Sequence, residues 1–312
     1  MKVFVTGTAG QLGHDVFFQL ANRGHFPISS DLSQIPSELP PFTKPLGLEV
    51  PPPVYVPLDI TDEKKVKETI EWLKPDAIIH CAAWTAVDAA EAPDNREKVD
   101  RINHLGTQYI AEAAKSIDAK MIYISTDYVF DGQGERPWQP DDKNYAPLNV
   151  YGQSKLDGEL AVSSILEKYF IVRIAWVFGL NGKNFIKTMI NVGKTHDAVR
   201  VVDDQIGTPT YTKDLARLLI DMVETEKYGY YHATNDEGGE YISWADLAEE
   251  AYRVAGMDVK VNRVTTAEYG VSVAARPFNS RLDKSKLETT GFKPLPHWKD
   301  AVKRYIREAD LL

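Results

Sequence analysis

Hydrophobic positions in the first half of the chain alternate between two periods. Lys2–Thr6 is a short apolar, β-rich run, and residues 11–23 carry Leu12, Val16, Phe17 and Leu20 at helical spacing. Residues 26–30 predict a second strand and 54–58 a third, followed by helical periodicity over 61–73. Residues 77–81 form a continuous apolar run, the pattern of a strand buried on both faces of a parallel sheet. A long helix is predicted over 95–117, rich in Ala after Leu105. A strand over 120–125, a helix over 150–166 and a strand over 170–176 follow. Such βαβα alternation predicts an α/β fold, a doubly wound parallel sheet with helices on both faces.

Two stretches break the pattern. Residues 35–53 cluster prolines and read as an inserted surface excursion. Residues 131–147 are rich in Gly, Pro, Asp and Trp and precede Tyr151. They read either as a loop bordering a site or as an ordinary solvated connection. After Trp176 the alternation becomes irregular, with helices predicted over 184–192, 212–225 and 243–255; Thr212 and Ser243 are candidate N-caps.

Composition narrows the class. A net charge of −9 over 312 residues argues against nucleic acid or an anionic membrane as general partner. No apolar run approaches the roughly 20 residues of a membrane span. The chain opens on a strand rather than a signal peptide, and Cys81 is its single cysteine, so no internal disulfide can form. A soluble, cytoplasmic, enzyme-sized protein is expected.

The first strand runs into Thr6-Gly7-Thr8-Ala9-Gly10-Gln11-Leu12-Gly13, whose glycines are spaced G-x-x-G-x-x-G. A glycine turn between a strand and a helix lets a pyrophosphate approach bare backbone, and the helix N-terminus offers free N–H groups to it. The sheet is therefore expected to be Rossmann-like and to bind a dinucleotide. Asp31 ends the second strand, where an acid bonds the adenosine ribose hydroxyls and repels a 2′-phosphate, favouring NADH over NADPH. Asp59 and Ile60 follow the third strand and would flank the adenine, although Asp59 also suits a turn or helix cap before Thr61. Ala82 and Ala83, after the fourth strand, are small enough for cofactor to lie against backbone.

Tyr151 and Lys155 are spaced i, i+4 on one helix face, and the strand before them ends in Ser125-Thr126-Asp127. A free phenol titrates near ~10, and a neighbouring ammonium stabilises the phenolate, tuning the Tyr for acid–base work. Lys155 can also bond the nicotinamide ribose, and Thr126 can hold a substrate carbonyl. An exposed Tyr and Lys would be the plain reading if the pair stood alone. In this order with the glycine turn, the three residues describe a keto–alcohol oxidoreductase. The division expected is a dinucleotide-binding unit over 1–175, rejoined by about 201–234, and a smaller C-terminal α/β substrate unit over 176–200 and 235–312.

These motifs, with Asp59-Ile60-Thr61-Asp62, Cys81-Ala82-Ala83-Trp84-Thr85-Ala86-Val87-Asp88, the run from Ser125 to Gly132, Asp204-Gln205-Ile206-Gly207-Thr208-Pro209-Thr210 and residues 276–282, resemble the extended short-chain dehydrogenase/reductases. More narrowly they resemble the dTDP-4-dehydrorhamnose reductase family. The resemblance implies NADPH- or NADH-dependent reduction of a 4-keto dTDP-sugar in dTDP-rhamnose biosynthesis. It adds Gly7, Gly10, Gln11, Leu12, Gly13 and Thr85 to the cofactor contacts. For the substrate it implies Thr126, Asp127 and Trp176, with Arg276 for the diphosphate. Tyr151 would protonate the developing alkoxide. Three departures stand out: the long stretch 35–53, Trp84 in place of a Tyr, and the acids that hold a dimer-bridging cation in some members. Asp15 matches one of those acids, but Lys213 lies where another is expected, and the histidines show no ligand spacing, so no metal is expected. A monomer or homodimer is expected. Two alternatives remain open: a 4-epimerase or dehydratase of the same superfamily, and a non-catalytic regulatory subunit.

Overall fold

The computed structural model describes residues 1–32, 54–270 and 272–311; the predicted insertion over 35–53 lies outside them. In the first half the order is β1 (Lys2–Thr6), α1 (Gln11–Asn22), β2 (Phe26–Asp31), β3 (Val54–Pro57), α2 (Glu63–Leu73), β4 (Ala77–His80), α3 (Val87–Ala90), α4 (Pro93–Asp100), α5 (Gly106–Ser116), β5 (Lys120–Thr126), α6 (Val150–Ile165) and β6 (Tyr169–Ile174). The second half adds β7 (Val177–Phe178), α7 (Phe185–Gly193), β8 (Ala198–Val202), β9 (Ile206–Gly207), β10 (Thr210–Tyr211), α8 (Thr212–Val223), β11 (Gly229–His232), β12 (Ile242–Ser243), α9 (Trp244–Ala255), β13 (Lys260–Val264), α10 (Thr266–Tyr269), α11 (Ser285–Thr289) and α12 (Trp298–Glu308).

Seven strands form one parallel sheet in the order β11-β6-β5-β4-β1-β2-β3. Alternation along β1 builds its two faces: Val3 and Val5 join Leu12, Val16, Leu215 and Leu219 on one side, while Phe4 joins Ile28, Val66, Ile70 and Ile110 on the other. Each such fully buried side chain contributes about 1.5–3 kcal/mol of transfer free energy. Strand order reverses between β1 and β4, and in open α/β sheets ligands bind at the carboxyl ends beside that reversal. A separate core of Phe178, Ile186, Ile190, Tyr211, Trp298 and Tyr305 underlies α7, α9 and α12.

Several expectations change in detail. The helix predicted over 95–117 is α4 and α5 joined by a π-helical turn at Arg101–Leu105. Thr212 is not an N-cap: Tyr211 takes the cap position, and the Thr212 hydroxyl donates to Asp15 Oδ2 at 2.5 Å, an acid on the facing α1. Ser243 does cap α9, in a reciprocal capping box with Asp246. The loop over 131–147 adds no residue to the cleft lining and exposes many of its own, yet it is pinned to the fold. Its Trp138 is buried, stacks on Phe130 at 4.4 Å, and donates its indole N–H to Asn279 O.

Candidate functional site

The carboxyl ends of β1, β2, β4, β5 and β6 open into a cleft of about 1140 Å³. At one end, Gly7 takes φ +70° and Gly10 N–H donates to Gly7 O at 3.0 Å, closing the turn before α1. A Cβ on Gly13 would stand 2.2 Å from Gly7 O, so only glycine lets the helix pack this near the strand. Gly10 caps α1 without a side-chain hydrogen bond, leaving the first-turn N–H groups to face the cleft. Buried Ser30 and Ser125 hydroxyls on the cleft wall have no hydrogen-bond partner among the described residues. Polar atoms left this way are costly unless a ligand meets them, and they fit an elongated polar cofactor.

Asp31, Asp59, Ile60, Ala82, Ala83 and Thr85 line the same cleft with Gly7, Gly10, Gln11, Leu12 and Gly13. Asp31 already accepts from Ala9 N at 2.9 Å and Leu32 N at 2.7 Å, so it locks the glycine turn to β2. Asp59 takes the turn role, its Oδ1 accepting from the Thr61 amide at 2.9 Å and hydroxyl at 2.8 Å, while it also lines the cleft. The cap of α2 is Asp62 instead.

The reactive end is built by α6 against β5. Asn149 caps α6, accepting from Gly152 N at 2.7 Å. Gly152 is needed because a Cβ there would lie 2.4 Å from Tyr128 O. That close approach sets Tyr151 beside the end of β5, and Tyr151 and Thr126 line the same cleft. Thr126 Oγ1 donates to Asp127 Oδ1 at 3.0 Å. Below, Ser154 donates to Tyr151 O, and Asn103 donates to Ser154 Oγ at 2.9 Å and receives Trp84 N at 2.8 Å. Asn103 sits inside the π-helical turn, which aims it at these groups rather than along the helix.

Electrostatics differ from the expected tuning. Burial, then the charge of Asp127, push the Tyr151 phenol above its ordinary value, opposed by the Thr126 hydrogen bond. Lys155 is 3% exposed, sits 4.1 Å over the Tyr123 ring, and burial brings its ammonium down to about 7 against the raising charge of Glu159. Burial and the Asp127 charge thus leave the phenol raised rather than acidified. Asp127 is raised to about 6 by burial, with Ser280 and Thr126 hydrogen bonds lowering it. His80, driven down to about 3 by burial and by Lys155, stays neutral between the Thr6 and Thr107 hydroxyls at 2.7 and 3.1 Å.

Trp176 has φ +51°, a strained conformation for a bulky residue, and stacks on Trp244 at 4.0 Å; both line the cleft. Arg276 alone among the predicted site residues lies outside the lining. Its Nη2 is 2.7 Å from Asp88 Oδ2. Residues the sequence reading missed include Trp244, Ser30, Ser125 and the cations Lys98, Arg101 and Lys183. Lys98 and Arg101 fall three apart on one helix face, a spacing visible in the sequence but uninformative before the cleft is known. Among the described residues, Asp100, His104 and Asp157 are a group whose ligand atoms lie within 4.8 Å of one another. His104 Nδ1 lies 3.0 Å from Asp100 Oδ1, an ion-pair geometry the sequence reading of the histidines did not anticipate. Asp15 accepts from Thr212, and Lys213 pairs with Glu308 at 2.9 Å. No described helix is long and apolar enough to cross a membrane.

The family model described as RmlD substrate binding domain matches residues 1–311. The dTDP-4-dehydrorhamnose reductase of Aggregatibacter actinomycetemcomitans is 36% identical, over 97% of this chain and 97% of its own length. The crystal structure of a dTDP-4-dehydrorhamnose reductase from Clostridium acetobutylicum is 39% identical with a TM-score of 0.87, covering 99% of this chain and 100% of that one. That of Bacillus anthracis, solved with NADP, is 36% identical with a TM-score of 0.85, covering 98% and 99%.

Proposed function

We propose that this chain, which belongs to the RmlD substrate binding domain family, that of the dTDP-4-dehydrorhamnose reductases, reduces the C4 ketone of dTDP-4-dehydro-6-deoxy-L-mannose to dTDP-L-rhamnose. The observation carrying this reading is the convergence, in one cleft, of the glycine turn with Thr126, Tyr151 and Lys155. NADPH or NADH, when bound, supplies the hydride for the ketone carbon. Gly7, Gly10, Gln11, Leu12 and Gly13 would hold its pyrophosphate, Asp31, Asp59 and Ile60 its adenosine, and Ala82, Ala83 and Thr85 its further half.

In this reading Thr126 and Tyr151 receive the substrate carbonyl, and Tyr151 gives its proton to the oxygen as negative charge develops there. A raised phenol suits a donor that must stay protonated until the alkoxide forms. Lys155, when charged, stabilises the phenolate left behind and can bond the nicotinamide ribose. Asp127 and Trp176 would orient the sugar nucleotide. Lys98, Arg101 and Lys183 line the cleft and can meet phosphate, whereas Arg276 would first have to leave Asp88. The unit over 1–175 with 201–234 would bind cofactor, and 176–200 with 235–312 the sugar nucleotide. A cytoplasmic monomer or homodimer fits this role. The test is a coupled assay in which the 4-keto dTDP-sugar drives oxidation of NADPH or NADH one for one. Absence of oxidation with either cofactor contradicts it.

A further inference from the structure

A buried ammonium needs something to offset the water it gives up. Lys155 is 3% exposed, and among the described residues its side chain makes no hydrogen bond and no ion pair. The contact it does make is with a ring face: Nζ lies 4.1 Å from the ring centroid of Tyr123 on β5. A cation over an aromatic face is drawn to the negative side of the ring quadrupole, and the attraction grows once water is excluded. Tyr123 is fully buried, so its ring acts here without competition from solvent.

Three fixtures hold that ring. Its hydroxyl donates to Lys155 O at 3.3 Å, on the residue whose ammonium the ring faces, and to Asn103 O at 3.5 Å in the π-helical turn. A Cβ on Gly158 would stand 2.3 Å from the same hydroxyl, so α6 approaches β5 this closely only because glycine is there. His80 on β4 stacks on the ring at 5.9 Å and stays neutral, which leaves Lys155 as the one cation on the ring among the described residues.

We propose, resting on the reductase reading above, that Tyr123 is a positioning residue for catalysis: its ring face keeps the Lys155 ammonium charged and fixed one helical turn from Tyr151, to meet the phenolate that proton donation leaves behind. Tyr151 and Lys155 both line the cleft, while Tyr123 lies behind it and acts through the lysine alone.

The titratable groups around Lys155 come from each packed element: Glu159 and Tyr151 on α6, His80 on β4 with Cys81 just past it, and Tyr123 on β5. Burial brings the ammonium down to about 7, and Glu159 is first among the groups that oppose this. Both Glu159 oxygens, however, already accept from Arg173 at 2.8 Å, so much of that charge is matched. The ring face is the support that Lys155 does not share with another cation.

The test changes the charge distribution of the ring and keeps its shape. Tyr123→Phe sets the reference, and mono-, di- and trifluorophenylalanine at the same position progressively strip negative charge from the ring face. Ionisation of Lys155 is read by carbon-13 NMR of its labelled side chain and by the alkaline limb of kcat for the 4-keto dTDP-sugar, with far-UV circular dichroism as the control for folding. In the wild type, kcat should fall as pH rises through about 7, where Lys155 discharges. With fluorination both the NMR titration and the kcat limb should move stepwise to lower pH, by about one pH unit in the trifluoro variant. A purely structural role for Tyr123 would move neither, because shape and packing are kept. Titrations that coincide across the series overturn the proposal, and so does an NMR titration that moves while the kcat limb stays in place. A wild type with no turnover overturns the reductase reading instead, and the NMR series then decides the hold of the ring on the ammonium by itself.

Discussion

The two walls of the cleft are built differently. On the sheet wall, strands of four to seven residues run parallel between two buried cores, and their ends fix the glycine turn and Thr126. The facing wall presents Trp176, Val177 and Trp244, the second-half strands β7, β9, β10 and β12 are two residues each, and isolated bridges outside the cleft lining join Trp138 to Leu282 and Ile206 to Asn279. Side-chain bonds to backbone and the Trp176–Trp244 stack do the holding there. On the proposed reading the difference is a division of labour: backbone geometry would position the proton donor and cofactor seat, while side chains of the facing wall would set what is recognised.

Breaking the sheet wall should have the largest effect. Tyr151→Phe removes the proton donor and should lower kcat by about 10²–10⁴-fold. NADH affinity, read by fluorescence titration, should stay within about twofold, since the general-acid term is separate from binding. Gly13→Ala forces a methyl to 2.2 Å from Gly7 O. Overpacking of this kind costs about 1–3 kcal/mol, visible as a lower Tm and weaker cofactor binding. The sheet wall also predicts acid lability. His80 is held neutral, with its folded value down at about 3 against 6.5. Its stabilising contribution is present above pH 6.5 and is lost as pH falls towards 3, at up to about 1.4 kcal/mol per pH unit. The urea midpoint of the wild type should fall with pH across this window, and that of His80→Gln should fall less.

The facing wall should answer more gently and in a different parameter. Trp244→Ala loses a stacked pair worth about 0.5–1.5 kcal/mol, so KM for the sugar nucleotide should rise about 3- to 10-fold while cofactor affinity holds. Weakened cofactor binding with unchanged KM would erase the proposed division between walls.

That same division explains what could be read in advance. Strand alternation in β1 and the apolar run of β4 follow directly from burial on a parallel sheet, and the observed bounds differ from the expected ones by a residue or two. The π-helical turn at Arg101–Leu105 carries no periodic signature, so the position of Asn103 was invisible. Helix α12 was missed although Trp298, Val302 and Tyr305 are spaced for one buried face, because the stretch before it shows no clear pattern. Tyr151, Lys155 and Thr126 were legible from order along the chain. Ser280 and Trp244 were not, since tertiary contacts alone bring them to the site. Arg276 was chosen for its charge, but the nearby Asp88 claims it, a pairing 188 positions apart in sequence.

The central claim is that this cleft reduces a sugar ketone at C4 by direct hydride transfer, with the protein supplying the proton. Turnover of the 4-keto dTDP-sugar with NADPH deuterated at the transferable nicotinamide position, followed by NMR of the product, tests it most directly. The account predicts one deuterium at C4 of the rhamnosyl product and an equal amount of oxidised cofactor. Product without deuterium at C4, or cofactor that stays reduced, would contradict it.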